Sequence, residues 1–231
     1  MFNDRIIIVT GAAGNVGKVV ARLLAQRGAR VASLDALADP LAAFVASLHR
    51  PDRHLALPGV DLTNPQATEA AVGHVVSTLG GLHGVASTVG GFDMGPLEKT
   101  ELEAWDKMFS LNVKTTWNIY RAAVPALRAN GGSLVGIGSA AGLRGGAQMA
   151  PYAATKSAVM RLTESLADEL RPDRIRVNAV LPTTIDTPQN RAAMPGADTS
   201  CWVKPEEVAE AMLFLLSDAA SGVSGALLPV G

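Results

Sequence analysis

Thr10-Gly11-Ala12-Ala13-Gly14-Asn15-Val16-Gly17 follows directly on the apolar run Ile6-Ile7-Ile8-Val9 and opens a helical pattern over residues 18–26. A glycine cluster alone reads as a turn as readily as a site. Between a strand and a helix it reads differently. Glycines let the backbone turn tightly and approach a diphosphate, while the free N–H groups at the helix start supply donors and the positive end of the helix dipole. Gly11, Gly14, Asn15, Val16 and Gly17 are therefore candidate dinucleotide-binding residues.

On both sides of this loop, short β-branched runs alternate with longer Ala-rich or amphipathic segments. Strands are expected at 5–9, 30–34, 55–60, 84–87, 133–137, 175–180 and 226–230. Helices are expected at 16–27, 66–79, 101–129, 152–170 and 205–217. Strand–helix alternation of this kind predicts an α/β fold, a parallel sheet covered by helices on both faces, and right-handed crossovers make it doubly wound. No repeat, charge block or low-complexity linker divides the chain, so residues 1–231 read as one domain. The stretch 182–204 lacks a clear period, and its length makes 183–204 a candidate lid or substrate loop. The plainer reading of it is an irregular surface crossover.

Composition narrows the partners. The 231 residues are 48% hydrophobic and 18% charged, with a net charge of -1, so neither a basic nucleic-acid footprint nor a polybasic membrane patch is present and a small-molecule substrate is expected. The single cysteine, Cys201, excludes an internal disulfide and agrees with a reducing compartment. No signal-peptide pattern or long apolar run occurs, and the cytoplasm is the expected location. His49, His54, His74 and His83 lack metal-ligand spacing; they read as solvated, and no metal is expected.

Asp35 closes the second strand about twenty residues beyond the glycine loop, where a carboxylate accepts hydrogen bonds from the adenosine ribose and repels a 2′-phosphate. No Arg or Lys beside it offsets that repulsion, so NAD(H) is preferred over NADP(H). Asp61, after the third strand, fits either the adenine edge or the start of the next helix, since Thr63, Asn64 and Pro65 also read as a helix start.

Tyr152 and Lys156 stand four apart at the start of a helical pattern, on one face and within mutual reach. A free phenol loses its proton near pH ~10, and a nearby ammonium lowers that value, which makes Tyr152 a candidate general acid. Ser139, just beyond the fifth strand, lies where the carboxyl ends of parallel strands form ligand crevices. Asn112 falls in mid-helix, an unfavoured place for asparagine that invites a functional or kinking role. Read singly, Ser139 is equally a loop serine bonded to backbone, and Asn112 a solvent-facing helix residue.

Taken together and in order, the 10–17 loop, Asp35, Asp61, Asn112, Ser139, Tyr152-Ala153-Ala154-Thr155-Lys156 and Arg176-Val177-Asn178-Ala179-Val180-Leu181-Pro182 resemble the short-chain dehydrogenase/reductase family over essentially the whole chain. The resemblance implies a Rossmann-like seven-stranded sheet and hydride transfer between nicotinamide and a carbonyl or carbinol carbon. It implies catalytic roles for Asn112, Ser139, Tyr152 and Lys156, with Asn112 supporting a proton-relay water. Gly90 and Pro182 join the cofactor set. It also implies homodimers or homotetramers, in which the 102–128 and Tyr152 helices meet partner subunits.

Three positions depart from the family pattern: Asn15 replaces the usual middle glycine, Thr88-Val89-Gly90 replaces Asn-Ala-Gly, and Thr183 follows Pro182. Residues 179–202 and the Gly90-Gly91-Phe92 turn resemble quinonoid dihydropteridine reductases, which implies, as an alternative, an NADH enzyme of that kind. An NAD-binding sensor or scaffold without turnover is a rival from a different class, and Ser139, Tyr152 and Lys156 speak against it. Dehydratase or epimerase chemistry is a rival within enzymes, for which the tail after Pro205 is too short. Acyl transfer is set aside because Ser139 lies outside a Gly-x-Ser-x-Gly elbow.

Overall fold

The computed structural model describes residues 2–231. Its strands are β1 (Ile6–Thr10), β2 (Arg30–Asp35), β3 (Leu55–Pro58), β4 (Gly84–Ser87), β5 (Gly132–Ile137), β6 (Ile175–Pro182) and β7 (Leu227–Val230). The helices are α1 (Asn15–Gln26), α2 (Ala38–Ala46), α3 (Pro65–Leu79), α4 (Leu102–Phe109), α5 (Thr115–Leu127), α6 (Ala150–Glu169), α7 (Pro188–Ala193) and α8 (Pro205–Leu216).

All seven strands pair in parallel, in the order β3-β2-β1-β4-β5-β6-β7. Chain order runs outward in both directions from β1 and β4, so the switch point, and with it a ligand crevice, lies at their carboxyl ends. Alternation along β1 shows how the layers form. Ile7 and Val9 join the core under α1, α2 and α8, while Ile6 and Ile8 join the core under α3, α5 and α6.

Several local features differ from the sequence expectation. The helix expected over 101–129 is broken by a π-helical turn, Ser110–Lys114, between α4 and α5, and the break carries Asn112. Helix α2 lies outside the expected set. Its buried Leu41, Phe44 and Val45 follow helical spacing, but Pro40 obscures the start, where a missing N–H costs little. Within 183–204 a short helix, α7, lies outside the expected set, between Ile185 and Val203, which pair in parallel. His54 and His83 are not simply solvated, because each half-buried ring accepts a strand-end N–H at Nδ1, from Val31 at 3.1 Å and Ile6 at 3.0 Å.

Candidate active site

The glycine loop is shaped by one close approach. A Cβ built on Gly17 would lie 2.1 Å from the Gly11 carbonyl oxygen, so α1 packs directly on the end of β1. Gly11 itself has a left-handed φ of 62°. The residue before α1 is Gly14, which offers no side-chain cap, and the first turn holds no acid. By contrast α3 is capped by Asn64, which accepts from Ala67 N–H, and α7 by Thr187, which accepts from Asn190 N–H. The uncapped N–H groups of α1, beside Asn15, Val16 and Gly17, suit a diphosphate.

The two aspartates divide. Asp35 Oδ2 accepts from Ala13 N–H at 2.9 Å and Oδ1 from Leu37 N–H at 2.9 Å, so this carboxylate braces the glycine loop while closing β2 beside it. Asp61 is exposed, and its Oδ1 accepts from Thr63 N–H and Oγ1 at 2.8 and 2.7 Å; the helix cap nearby is Asn64. Thr88, which stands where the family has asparagine, ties β4 to the loop: its Oγ1 donates to Thr10 O at 2.6 Å and its N–H to Thr10 Oγ1 at 3.2 Å.

Ser139, Tyr152 and Lys156 converge because the turn after β5 packs on α6. A Cβ on Gly142 would be 3.0 Å from backbone atoms of Lys156 and Ser157, and Ser157 Oγ donates to Gly142 O at 2.5 Å. Ser139 is buried and accepts from Ala141 N–H at 3.2 Å. Lys156 is buried, its Nζ donates to Ile137 O at 3.0 Å, and it lies 5.8 Å from the centre of the Tyr152 ring. Phe92 meets that ring edge-on, at 4.8 Å between centroids.

Asn112 is buried in the π-helical turn. Its Oδ1 accepts from Gly91 N–H at 2.9 Å, and its Nδ2 donates to Gly91 O at 3.2 Å and Thr155 Oγ1 at 3.0 Å. It thereby fastens the 90–91 turn to α6. A Cβ on Gly90 would meet Asn112 Oδ1 at 2.9 Å and Lys156 Nζ at 3.3 Å, so Gly90 borders the cleft. Pro182 ends β6 on the same side of the sheet. The glycine loop, Asp35, Gly90, Ser139 and Pro182 thus share the carboxyl end of the sheet with the start of α6. Thr88, Phe92, Thr155 and Gln189 stand out in the sequence only as parts of the 88–90 departure, the 90–92 turn, the 152–156 motif and the 183–204 loop; the individual contacts of each come from the structure.

The electrostatics reverse one expectation. The Tyr152 phenol is pushed up from its ordinary value by burial, and the Ser139 hydroxyl acts the other way without cancelling it. Lys156 does not bring the phenol down; instead burial lowers Lys156 itself to about 8. The lysine therefore remains mostly cationic at pH 7, with its ammonium held by the Ile137 carbonyl.

A family model described as enoyl-(acyl carrier protein) reductase, within the short-chain dehydrogenase/reductase family, matches residues 11–231. The chain belongs to the short-chain dehydrogenase/reductase family. It is 32% identical to 2-(S)-hydroxypropyl-CoM dehydrogenase 3 of Xanthobacter autotrophicus, over 98% of this chain and 95% of that one. A short-chain type dehydrogenase/reductase from Mycobacterium ulcerans superposes with a TM-score of 0.93 at 35% identity, covering 99% of this chain and 89% of that one. Carveol dehydrogenase from Mycobacterium avium in complex with NAD superposes with a TM-score of 0.90 at 30% identity, covering 99% and 96%. This short-chain dehydrogenase/reductase is an NAD-dependent oxidoreductase acting on CH–OH or C=O groups of small molecules. These relatives are dehydrogenases, and the likeness of residues 179–202 to dihydropteridine reductases is secondary. Among the described residues no group of His, Cys, Asp and Glu is placed to hold a metal, and no helix is long and apolar enough to cross a membrane.

Proposed function

We propose that this enzyme interconverts a secondary alcohol and its ketone, with Tyr152 as the acid–base group, Ser139 orienting the substrate oxygen and NAD(H) favoured over NADP(H). The observation that carries the assignment is the convergence of a buried serine hydroxyl and a buried lysine on one phenol. Similarity to enzymes whose names contain hydroxypropyl-CoM and carveol supports an alcohol as substrate. Residues 1–231 act as one domain, with 183–204 as the substrate loop.

When bound, NAD(H) would supply the hydride acceptor or donor for the carbinol or carbonyl carbon. The protein's part is to hold it and to manage one proton. Gly11, Gly14, Asn15, Val16 and Gly17 receive the diphosphate, Asp35 the adenosine ribose and Asp61 the adenine edge, while Gly90 and Pro182 border the nicotinamide end. Lys156, buried beside Gly90, donates to ribose hydroxyls. In oxidation the alcohol O–H proton passes to the Tyr152 oxygen, and in reduction it returns to the carbonyl oxygen. Asn112 serves as a positioning residue, because its side chain is already engaged by Gly91 and Thr155.

The raised Tyr152 pKa fixes the pH behaviour. Oxidation needs the phenolate, so its rate rises as pH climbs toward the phenol's pKa, whereas reduction needs the protonated form and declines over the same interval. Ser139 lowers that pKa, so Ser139→Ala should move the alkaline limb of the oxidation profile to higher pH and cut kcat about 100-fold. A profile that shifts downward or stays in place would separate Ser139 from the phenol.

Asp35 is the reason for the NAD preference, and it also braces Ala13. The informative substitution is therefore Asp35→Ser, which keeps an acceptor for that N–H. NADH affinity should fall about tenfold while NADPH affinity rises, read by fluorescence titration of both. An unchanged ratio removes Asp35 from the cofactor site. The cytoplasm is our reading of the location. A homodimer or homotetramer is our reading of the assembly, supported by Leu102, Trp105, Phe109 and Trp117, large apolar side chains exposed along α4 and α5. The mass of the purified protein by sedimentation equilibrium decides it.

A further inference from the structure

Asn15 and Gln189 stand 174 residues apart in sequence, yet the Asn15 Nδ2 group donates to Gln189 Oε1 at 2.7 Å. Asn15 is the first residue of α1, and Gln189 lies in the first turn of α7. We propose that this pair is a latch: Gln189 is a positioning residue that, acting through Asn15, holds the 183–204 flap across the glycine loop and slows escape of the dinucleotide. The proposal rests on the reading of the loop as the diphosphate site.

The flap is built to move as one piece. Val203 N–H donates to Thr184 O at 2.9 Å and Asp186 N–H to Val203 O at 2.7 Å, closing its base. Above the base, Arg191 grips Asp186 through two bonds at 2.6 and 2.8 Å, Thr187 caps α7, and Asn190 Nδ2 donates to Ile185 O at 2.8 Å. These bonds tie α7 to the stems of the flap and leave its first turn facing the glycine loop. Among the described residues, no other side-chain hydrogen bond joins α7 to the 10–17 loop.

The position of the latch gives it its effect. The N–H groups that suit the diphosphate are those at the start of α1, where the Asn15 side chain begins, and α7 is tied down at that point. A glycine at residue 15, the residue the family pattern places there, has no side chain with which to reach Gln189. The bond joins two exposed, uncharged groups, so its loss affects opening of the flap and leaves folding alone. A bond of this kind is worth about two- to tenfold in an equilibrium or rate.

The test is stopped-flow displacement of NADH from the full-length protein by excess NAD+, for wild type, Gln189→Ala, Asn15→Ala and the double variant. Gln189→Ala should release NADH about two to ten times faster, with the association rate and the cofactor-free thermal midpoint unchanged; Asn15→Ala, at a residue that also borders the diphosphate site, should release it at least as fast. The double variant should be no faster than the faster single one, because both remove the same bond. Release from Gln189→Ala at the wild-type rate overturns the latch, as do effects that multiply in the double variant. Wild-type protein that binds no NADH overturns the cofactor reading first, and the latch with it.

Discussion

Tyr152→Phe should lower turnover by about 10²- to 10⁴-fold, the range for loss of a positioned acid–base group, while NADH affinity and thermal stability stay near wild type. The phenol hydroxyl makes no bond on which the fold depends, and the ring retains its contact with Phe92. Neither the glycine loop nor Lys156 is disturbed, so the cofactor should bind as before. Steady-state kinetics with a fluorescence titration separate the two effects. A parallel loss of NADH affinity would mean that Tyr152 acts mainly on the cofactor, and retained turnover would take proton transfer away from it. Lys156 supports the same group at a burial cost, visible in its pKa of about 8. Since its folded pKa lies below its ordinary value, this cost is largest below pH 8 and is relieved as pH rises from there toward the unfolded lysine's value.

Gly17→Ala should be the most damaging substitution outside the catalytic group. Alanine is the better helix former by about 1 kcal/mol, so propensity alone predicts a more stable protein. The structure predicts the opposite, because the added Cβ would lie 2.1 Å from Gly11 O and 2.8 Å from Gly11 C, both backbone atoms that cannot rotate away. Relief requires α1 to lift from β1, at about 1–3 kcal/mol of strain, and spoils the diphosphate cradle. A fall in Tm of roughly 3–10 °C and at least tenfold weaker NADH binding are expected. Gly73→Ala in α3 is the matched control: nothing lies within 4 Å of a Cβ there, so this change should stabilise by about 0.5–1 kcal/mol. Equal signs for the two variants, measured by thermal melts, would refute the close approach.

The two glycines also show why some of this molecule is legible in its sequence and some is not. The parallel sheet, its covering helices and the placement of Tyr152 and Lys156 on one helix face follow from strand–helix alternation and helical spacing, whereas the order of the strands does not. Gly17 announces itself by its place between strand and helix, and Asn112 by its unsuitability for a helix interior, which the π-helical turn explains. Thr155 carries no such mark, and Thr88 shows only as a departure from the family's asparagine. Their roles depend on partners distant in the chain, Thr10 for one and Asn112 for the other, and threonine is commonplace in strands and helices alike. Gln189 is hidden for the same reason, within a segment whose order comes from its return onto itself through Ile185 and Val203. The direction of the Tyr152 shift is illegible because spacing shows that Lys156 is near but not how deeply both are buried, and burial wins.

The most direct measurement is the initial rate of NAD+ reduction by the purified protein with a panel of cyclic and open-chain secondary alcohols, with NADH oxidation by the matching ketones and by quinonoid dihydropterin run beside it. Turnover of at least one alcohol–ketone pair in both directions, with oxidation gaining and reduction losing as pH rises, is the predicted result. Binding of NADH without turnover of any alcohol or ketone would contradict it, leaving either a dihydropterin reductase, if that substrate alone is consumed, or an NAD-binding protein with no reaction of its own.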